Sequence, residues 1–154
     1  LQVAGIYDKD VSAELLQLMQ VDLQKYFNFS YYLLRNNYGV DEFLALCEEK
    51  AEGVNYPQGM GNAMGLKLQE GLLHLDMVVQ YLDKYPLKGK KLVEICMNSP
   101  IIRWRNMAAK AMLGWTECRK QSLKEMDEEL YAKVLTVSII ETNKGVKELW
   151  SKLL

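Results

Sequence analysis

Proline is scarce in this sequence, three in 154 residues, so helices need few interruptions. Histidine occurs once, at His74, which excludes a site built from several imidazoles, and no H-E-x-x-H motif is present. Phenylalanine is sparse as well, three against eight methionines. Unbranched Met and Leu favour helices, whereas strands draw on β-branched and aromatic side chains. The cysteines are Cys47, Cys96 and Cys118, an odd number set far apart among apolar neighbours. That pattern is not a disulfide framework; it reads as three small buried hydrophobes in a reducing compartment and so predicts a cytoplasmic location. No stretch reaches the roughly 18 apolar residues of a membrane span, and Leu1 to Ile6 is too short and lacks the basic start of a secretory signal. Strong charge of either sign is missing too. The formal net charge is −1, and a protein that grips phosphates normally needs a basic surface, so the balance argues against nucleic acid as the partner.

What is present is an ordinary globular composition, 49% hydrophobic and 25% charged. The length suits one domain over 1–154, and the opening on Leu1 rather than Met reads as a chain trimmed or cut from something longer. Leu16, Met19, Leu23 and Phe27 recur at steps of three and four, which predicts a first helix from about Val11 to the mid-thirties, with a bend near Ser30 to Tyr32 and a stop at Asn36, Asn37 and Gly39. Asp41 is the expected cap of a second helix carrying Phe43, Leu44, Cys47 and Ala51. Gln58 to Gly71 forms a glycine-rich third segment, and Leu72, Leu75, Val79 and Leu82 mark a fourth. The fifth carries Leu92, Ile95 and Cys96; Ser99 as cap and Pro100 at the first helical position then open the sixth, with Trp104, Ala108, Ala111, Met112 and Trp115. A capping box, Ser122 with Glu125, precedes Leu123, Met126, Leu130, Val134 and Val137. Leu149, Trp150 and Leu153 close the chain on a short helix from Val146, and no segment reads as a strand. Seven or eight helices joined by short loops predict antiparallel neighbours, either stacked in pairs or gathered in a globular bundle.

From Leu92 to Trp115 the chain reads LVEICMNSPIIRWRNMAAKAMLGW. This resembles a HEAT repeat: an apolar helix, a short turn at Ser99-Pro100, then a second helix opening with the hydrophobic-Arg pair Trp104-Arg105 and continuing through Ala108, Ala109, Ala111 and Met112. An arginine there can reach turn carbonyls or an acid in the next repeat, and alanines allow close helix approach. Ser99 and Ile101 stand where the family often has acids, which puts its usual Asp–Arg ladder in doubt. Phe43-Leu44-Ala45-Leu46-Cys47 is a weaker echo of Leu92-Val93-Glu94-Ile95-Cys96, 49 residues apart, close to the roughly 40–47 residues of HEAT or armadillo units. The resemblance implies a short HEAT-like α-solenoid, with the globular bundle as alternative. In that family the second helices line the concave binding surface. Since Trp104 and Arg105 fall on the packing stripe, Arg103, Asn106 and Lys110 become the expected partner contacts. The family also includes DNA-binding members and DNA glycosylases, which makes a nucleic-acid module the alternative.

Other candidates for chemistry read as structure. Gly59 to Gly65 looks superficially like a phosphate loop, but no strand precedes it and no Gly-Lys-Ser/Thr follows, so Gly61 and Gly65 are better explained by close packing. His74, among Leu72, Leu73 and Leu75, reads as a partly buried structural histidine. Glu48-Glu49 and Asp127-Glu128-Glu129 read as solvated faces, because adjacent acids on a helix point apart. Tyr7, Tyr26, Tyr31, Tyr32 and Tyr38 fit an interface or an amphipathic core equally well. No catalytic residue, metal site or cofactor is expected. The function predicted is a non-enzymatic protein-interaction module (a scaffold, an adaptor or an immunity-type inhibitor), with a nucleic-acid module or a helical small-ligand-binding domain as alternatives.

Overall fold

The computed structural model of the chain describes residues 10–64 and 72–154; the expectations on Leu1 to Ile6, Tyr7 and 65–71 lie outside the described residues. Those described are mainly helical and contain no strand, only an isolated parallel bridge between Ala63 and Ile101.

The region expected as one long helix is three pieces: α1 (Ser12–Val21), α2 (Leu23–Tyr26) and α3 (Ser30–Asn36), with a 3-10 turn at Phe27–Phe29. The break is at Asp22, whose backbone is extended and whose carboxylate accepts the Lys25 N–H at 3.1 Å. An aspartate inside an apolar-periodic run thus acts as a cap rather than a passenger. The buried stripe is Leu15, Met19, Leu23 and Phe27, with Leu16 only half-buried. The chain turns at Asn37 in the left-handed region and enters α4 (Val40–Ala51) through Gly39, also left-handed. Asp41 is therefore not the cap; it sits exposed in the first turn, paired with Lys88 at 2.7 Å.

Residues 58–64 are not helical. They lie along the 98–102 turn: the Gly59 N–H donates to the Asn98 carbonyl (2.8 Å), Ala63 to Pro100 (3.2 Å), and Ile102 back to Ala63 (3.0 Å). Glycines favour helix poorly, and the turn supplies the hydrogen bonds a helix would otherwise provide. The fourth segment shrinks to α5 (Asp76–Val79) and a 3-10 turn at Leu82–Lys84. In the turn before it Leu73 and Leu75 are buried and His74 is exposed, not partly buried as expected; the Leu75 N–H donates back to the Leu73 carbonyl at 3.0 Å.

α6 (Lys90–Met97) packs on α7 (Ile102–Arg119), the pairing the Leu92–Trp115 pattern implies. Leu92, Val93 and Cys96 of the one and Trp104, Ala108, Ala109, Ala111, Met112 and Trp115 of the other are buried. The turn between them differs from expectation. Ile101 takes the cap position, and Ser99 instead accepts the Ile101 N–H at 3.2 Å. The Trp115 ring N–H donates to the Leu82 carbonyl at 2.6 Å, fixing α7 against the 3-10 turn. Of the cysteines, Cys47 and Cys96 are buried but Cys118 is exposed, near the end of α7 with its thiol 3.7 Å from the Asp83 carbonyl.

The capping box forms as the sequence reads, with the Ser122 N–H donating to Glu125 at 2.9 Å and the Glu125 N–H to the Ser122 hydroxyl oxygen at 3.3 Å. It opens only α8 (Leu123–Met126). The chain restarts at Asp127, which accepts the Leu130 N–H at 2.8 Å and begins α9 (Glu128–Ile140). Asp127 is consequently no solvated acid, unlike exposed Glu128 and Glu129. α10 (Lys144–Ser151), capped by Asn143, buries Val146 and Trp150.

Between elements, α1 packs on α3 and α4, α3 on α5, α5 on α7 and α7 on α10, while α4 packs on α6. Two ion pairs tie α6 to the α9 end: Lys90 with Asp127 at 2.7 Å and Lys133 with Glu94 at 3.0 Å.

Candidate interaction surface

Arg105 is the polar centre of the structure. Its side chain and that of Glu141 are both fully buried. Nε and Nη2 donate to the two carboxylate oxygens at 2.7 and 2.9 Å, the bidentate geometry that a planar guanidinium favours. Nη1 donates to the carbonyls of Ser99 (2.7 Å) and Gly61 (2.9 Å). Glu141 in turn accepts the Asn143 N–H at 2.8 Å and the Trp150 ring N–H at 3.4 Å. Burial alone would push the Glu141 carboxyl up; the hydrogen bonds from Arg105 and the Asn143 amide, with the charge of Arg105, outweigh it and hold the group below its ordinary value. One side chain thus clamps the 59–63 strip, the α6–α7 turn and the α9–α10 corner. Sealed from solvent, the pair offers no access to a substrate, so it is a structural clamp.

The three expected partner contacts have different surroundings. Arg103 is half-exposed, but its guanidinium is held by Asp76 and donates to Gln80 at 3.1 Å. Asn106 is partly buried, and its Oδ1 lies out of solvent without a hydrogen-bond partner among the described residues. Lys110 alone stands out into solvent. Three other cations are paired with acids as well: Lys88 with Asp41, Lys90 with Asp127, and Lys133 with Glu94 and Glu129. Among the described residues no group of three or more His, Cys, Asp or Glu gathers as for a metal. Burial raises the thiols of Cys47 and Cys96 well above their ordinary range, the opposite of an activated nucleophile.

The outer face of α9 carries exposed aliphatic side chains that its core periodicity does not predict. Leu135, Ile139 and Ile140 are 44%, 71% and 54% exposed. At 100° per residue, Glu128, Ala132, Leu135, Thr136 and Ile139 share one face, opposite buried Leu130, Val134 and Val137. The signal was legible. α9 carries its core stripe complete and has large aliphatic residues left over, so it is apolar on two sides. Beside its C-terminal end, the Thr142 hydroxyl donates to the Met60 carbonyl at 3.1 Å, bringing in the strip that leads to Met64, itself 86% exposed. A second feature, a shallow groove of about 410 Å³, lies where Met19, Val21 and Leu23 meet Leu46, Glu49 and Lys50 of α4.

Compared with known protein families, curated proteins and solved structures, the chain matches none. No helix among the described residues is long and apolar enough to cross a membrane.

Proposed function

We propose that the chain is a non-enzymatic protein-interaction module of the cytoplasm, a scaffold, adaptor or immunity-type inhibitor, built as a short HEAT-like solenoid. The element pairings support the solenoid. Leaving aside the four-residue α2 and α8, the helices alternate in chain order between two rows: α1, α4, α6 and α9 in one, α3, α5, α7 and α10 in the other. The short echo in the sequence falls on α4 and α6, successive members of one row. Phe43, Leu44 and Cys47 are buried like Leu92, Val93 and Cys96, and both helices begin from a left-handed glycine, Gly39 or Gly89. Free, buried Cys47 and Cys96 support the reducing compartment.

The observation that carries the binding role is the aliphatic face of α9, which no described residue covers. Contiguous exposed apolar surface on a folded protein marks a place where another molecule sits. The face is the better docking candidate than Arg103, Asn106 and Lys110, since Arg103 is held by Asp76 and Gln80 and Asn106 is partly buried. The net charge of −1 disfavours a nucleic-acid groove, which needs several converging Lys and Arg.

The test is affinity capture from the native host with the wild-type chain and a Leu135→Glu/Ile139→Glu variant, after circular dichroism shows both folded. One protein retained by the wild type and lost by the variant is the expected result. Retention of nucleic acid only, or of proteins indifferent to the substitutions, refutes the reading.

A further inference from the structure

Among the described residues, large apolar side chains stand exposed on two helices only. α1 carries Leu18 at 38% and Val21 at 86%, and α9 carries Leu135, Ile139 and Ile140. In the two-row reading these are the first and last helices of one row. α4 and α6, which have a row neighbour on each side, expose none. Repeat arrays keep their ends apart with polar outer faces on the terminal units, and here both ends are apolar. We propose that the occupant of the α9 face is the α1 face of a second copy of this chain, so that copies stack head to tail and continue the row. This rests on the two-row reading and on α9 as the docking face, and names what covers it.

Both faces point outward along the row. Leu16 of α1 meets α4 at Gly39, and Leu18 lies about 200° round the helix from Leu16, with Val21 about one turn further along. Lys133 of α9 reaches α6 through Glu94, and Leu135 lies about 200° round from Lys133, with Ile139 about one turn further along. Each terminal helix therefore turns its aliphatic side away from the neighbour it has, towards the place of the next helix in the row. Among the described residues no helix precedes α1 or follows α9 in that row, so a single contact between copies supplies both missing neighbours. The two faces differ, which makes the contact heterologous; repeated, it builds an open stack rather than a closed pair. α1 and α9 have 10 and 13 residues, about 15 and 20 Å of helix, so the contact is small, with a dissociation constant on the order of 10 μM or weaker.

Sedimentation equilibrium of the purified chain, from micromolar to several hundred micromolar, tests this. The mass should rise from 17.8 kDa past twice that value as concentration increases. Val21→Lys blocks one face and Ile139→Lys the other; both side chains are exposed, so circular dichroism should be unchanged. Each variant alone should stay monomeric. An equimolar mixture of the two should pair and stop at twice 17.8 kDa, because one intact face of each kind survives. A wild-type chain that stays monomeric or stops at the dimer, a single variant that still associates, or a mixture that stays monomeric overturns the proposal. If the wild type is monomeric while host capture still depends on Leu135 and Ile139, head-to-tail stacking falls and the interaction reading stands. If neither assay responds to the face, both fall.

Discussion

Replacing Arg105 by methionine should be among the most damaging single substitutions available in this chain. The guanidinium makes four hydrogen bonds, two to the Glu141 carboxylate and one each to the carbonyls of Ser99 and Gly61. Methionine keeps much of the aliphatic stem and removes all four. Glu141 then keeps only the Asn143 amide and the long contact from Trp150, and it remains a charge without solvent or counter-ion. Breaking a buried pair from one side costs about 3–5 kcal/mol, because the orphaned charge must stay desolvated or take up a proton. Against a total stability of about 5–15 kcal/mol, that loss leaves a domain barely folded or unfolded at ambient temperature. Guanidinium unfolding followed by tryptophan fluorescence measures it, since Trp104, Trp115 and Trp150 are all buried. The double replacement Arg105→Met/Glu141→Leu is the control. It leaves no charge behind, so it should be more stable than Arg105→Met alone, with a coupling of about 2 kcal/mol or more. If Arg105→Met lowers stability by less than about 1 kcal/mol, or if the two substitutions add, Arg105 is not the clamp that holds these three segments together.

The acid limb of stability should report the same pair. Glu141 is held below its ordinary value in the fold, so its contribution is complete above the unfolded carboxylate range of about 4.3 and fades as pH falls through the lower native value. Asp127, held down by Lys90 and the Leu130 amide against the opposing push of burial, adds to this in the same direction. Melting temperature measured from pH 7 to pH 2.5 should fall on the acid side, and Glu141→Gln should be less stable at pH 7 but flatter below pH 5; parallel curves would contradict the assignment. Gly114→Ala should destabilise by about 2 kcal/mol or more. A methyl there would sit 2.6–2.8 Å from the Cβ, carbonyl oxygen and Cα of Asp83, mostly backbone that α7 cannot leave without giving up the Trp115 bond to Leu82. A thermal shift within 1 °C of wild type would show that the approach of α7 to this turn is not tight.

How much of this could be read from the residues depends on the range of the interaction behind each feature. Periodicity is local, and it located the buried sides of α4, α6, α7 and α9 correctly, down to Cys47, Cys96 and Trp115. The capping box at Ser122 and Glu125 is local as well and formed as read. Boundaries failed where one side chain could play two roles. Asp22 sits inside a helical pattern yet caps a new helix, and Asp41 looks like a cap yet stands one residue inside a helix that Gly39 begins. The fate of 58–64 was out of reach for a different reason. The hydrogen bonds that keep this strip extended come from Asn98, Pro100 and Ile102, some 40 residues away, and no window over the strip itself contains them. Arg105 lies between these cases. Its position after Trp104 marked it as able to reach a turn carbonyl, which it does at Ser99, or an acid in a next repeat; that its acid is Glu141 depends on the α9–α10 corner, which only the folded packing brings to Arg105. The exposed aliphatic side of α9 is not legible from its core stripe, because Leu130, Val134 and Val137 complete that stripe without it. A helix with a complete core stripe and spare isoleucines poses a question that the stripe cannot answer. Burial of Leu130, Val134 and Val137 accounts for the place of α9 in the fold, whereas Leu135 and Ile139 stay exposed among the described residues, and the proposed interaction role rests on that difference.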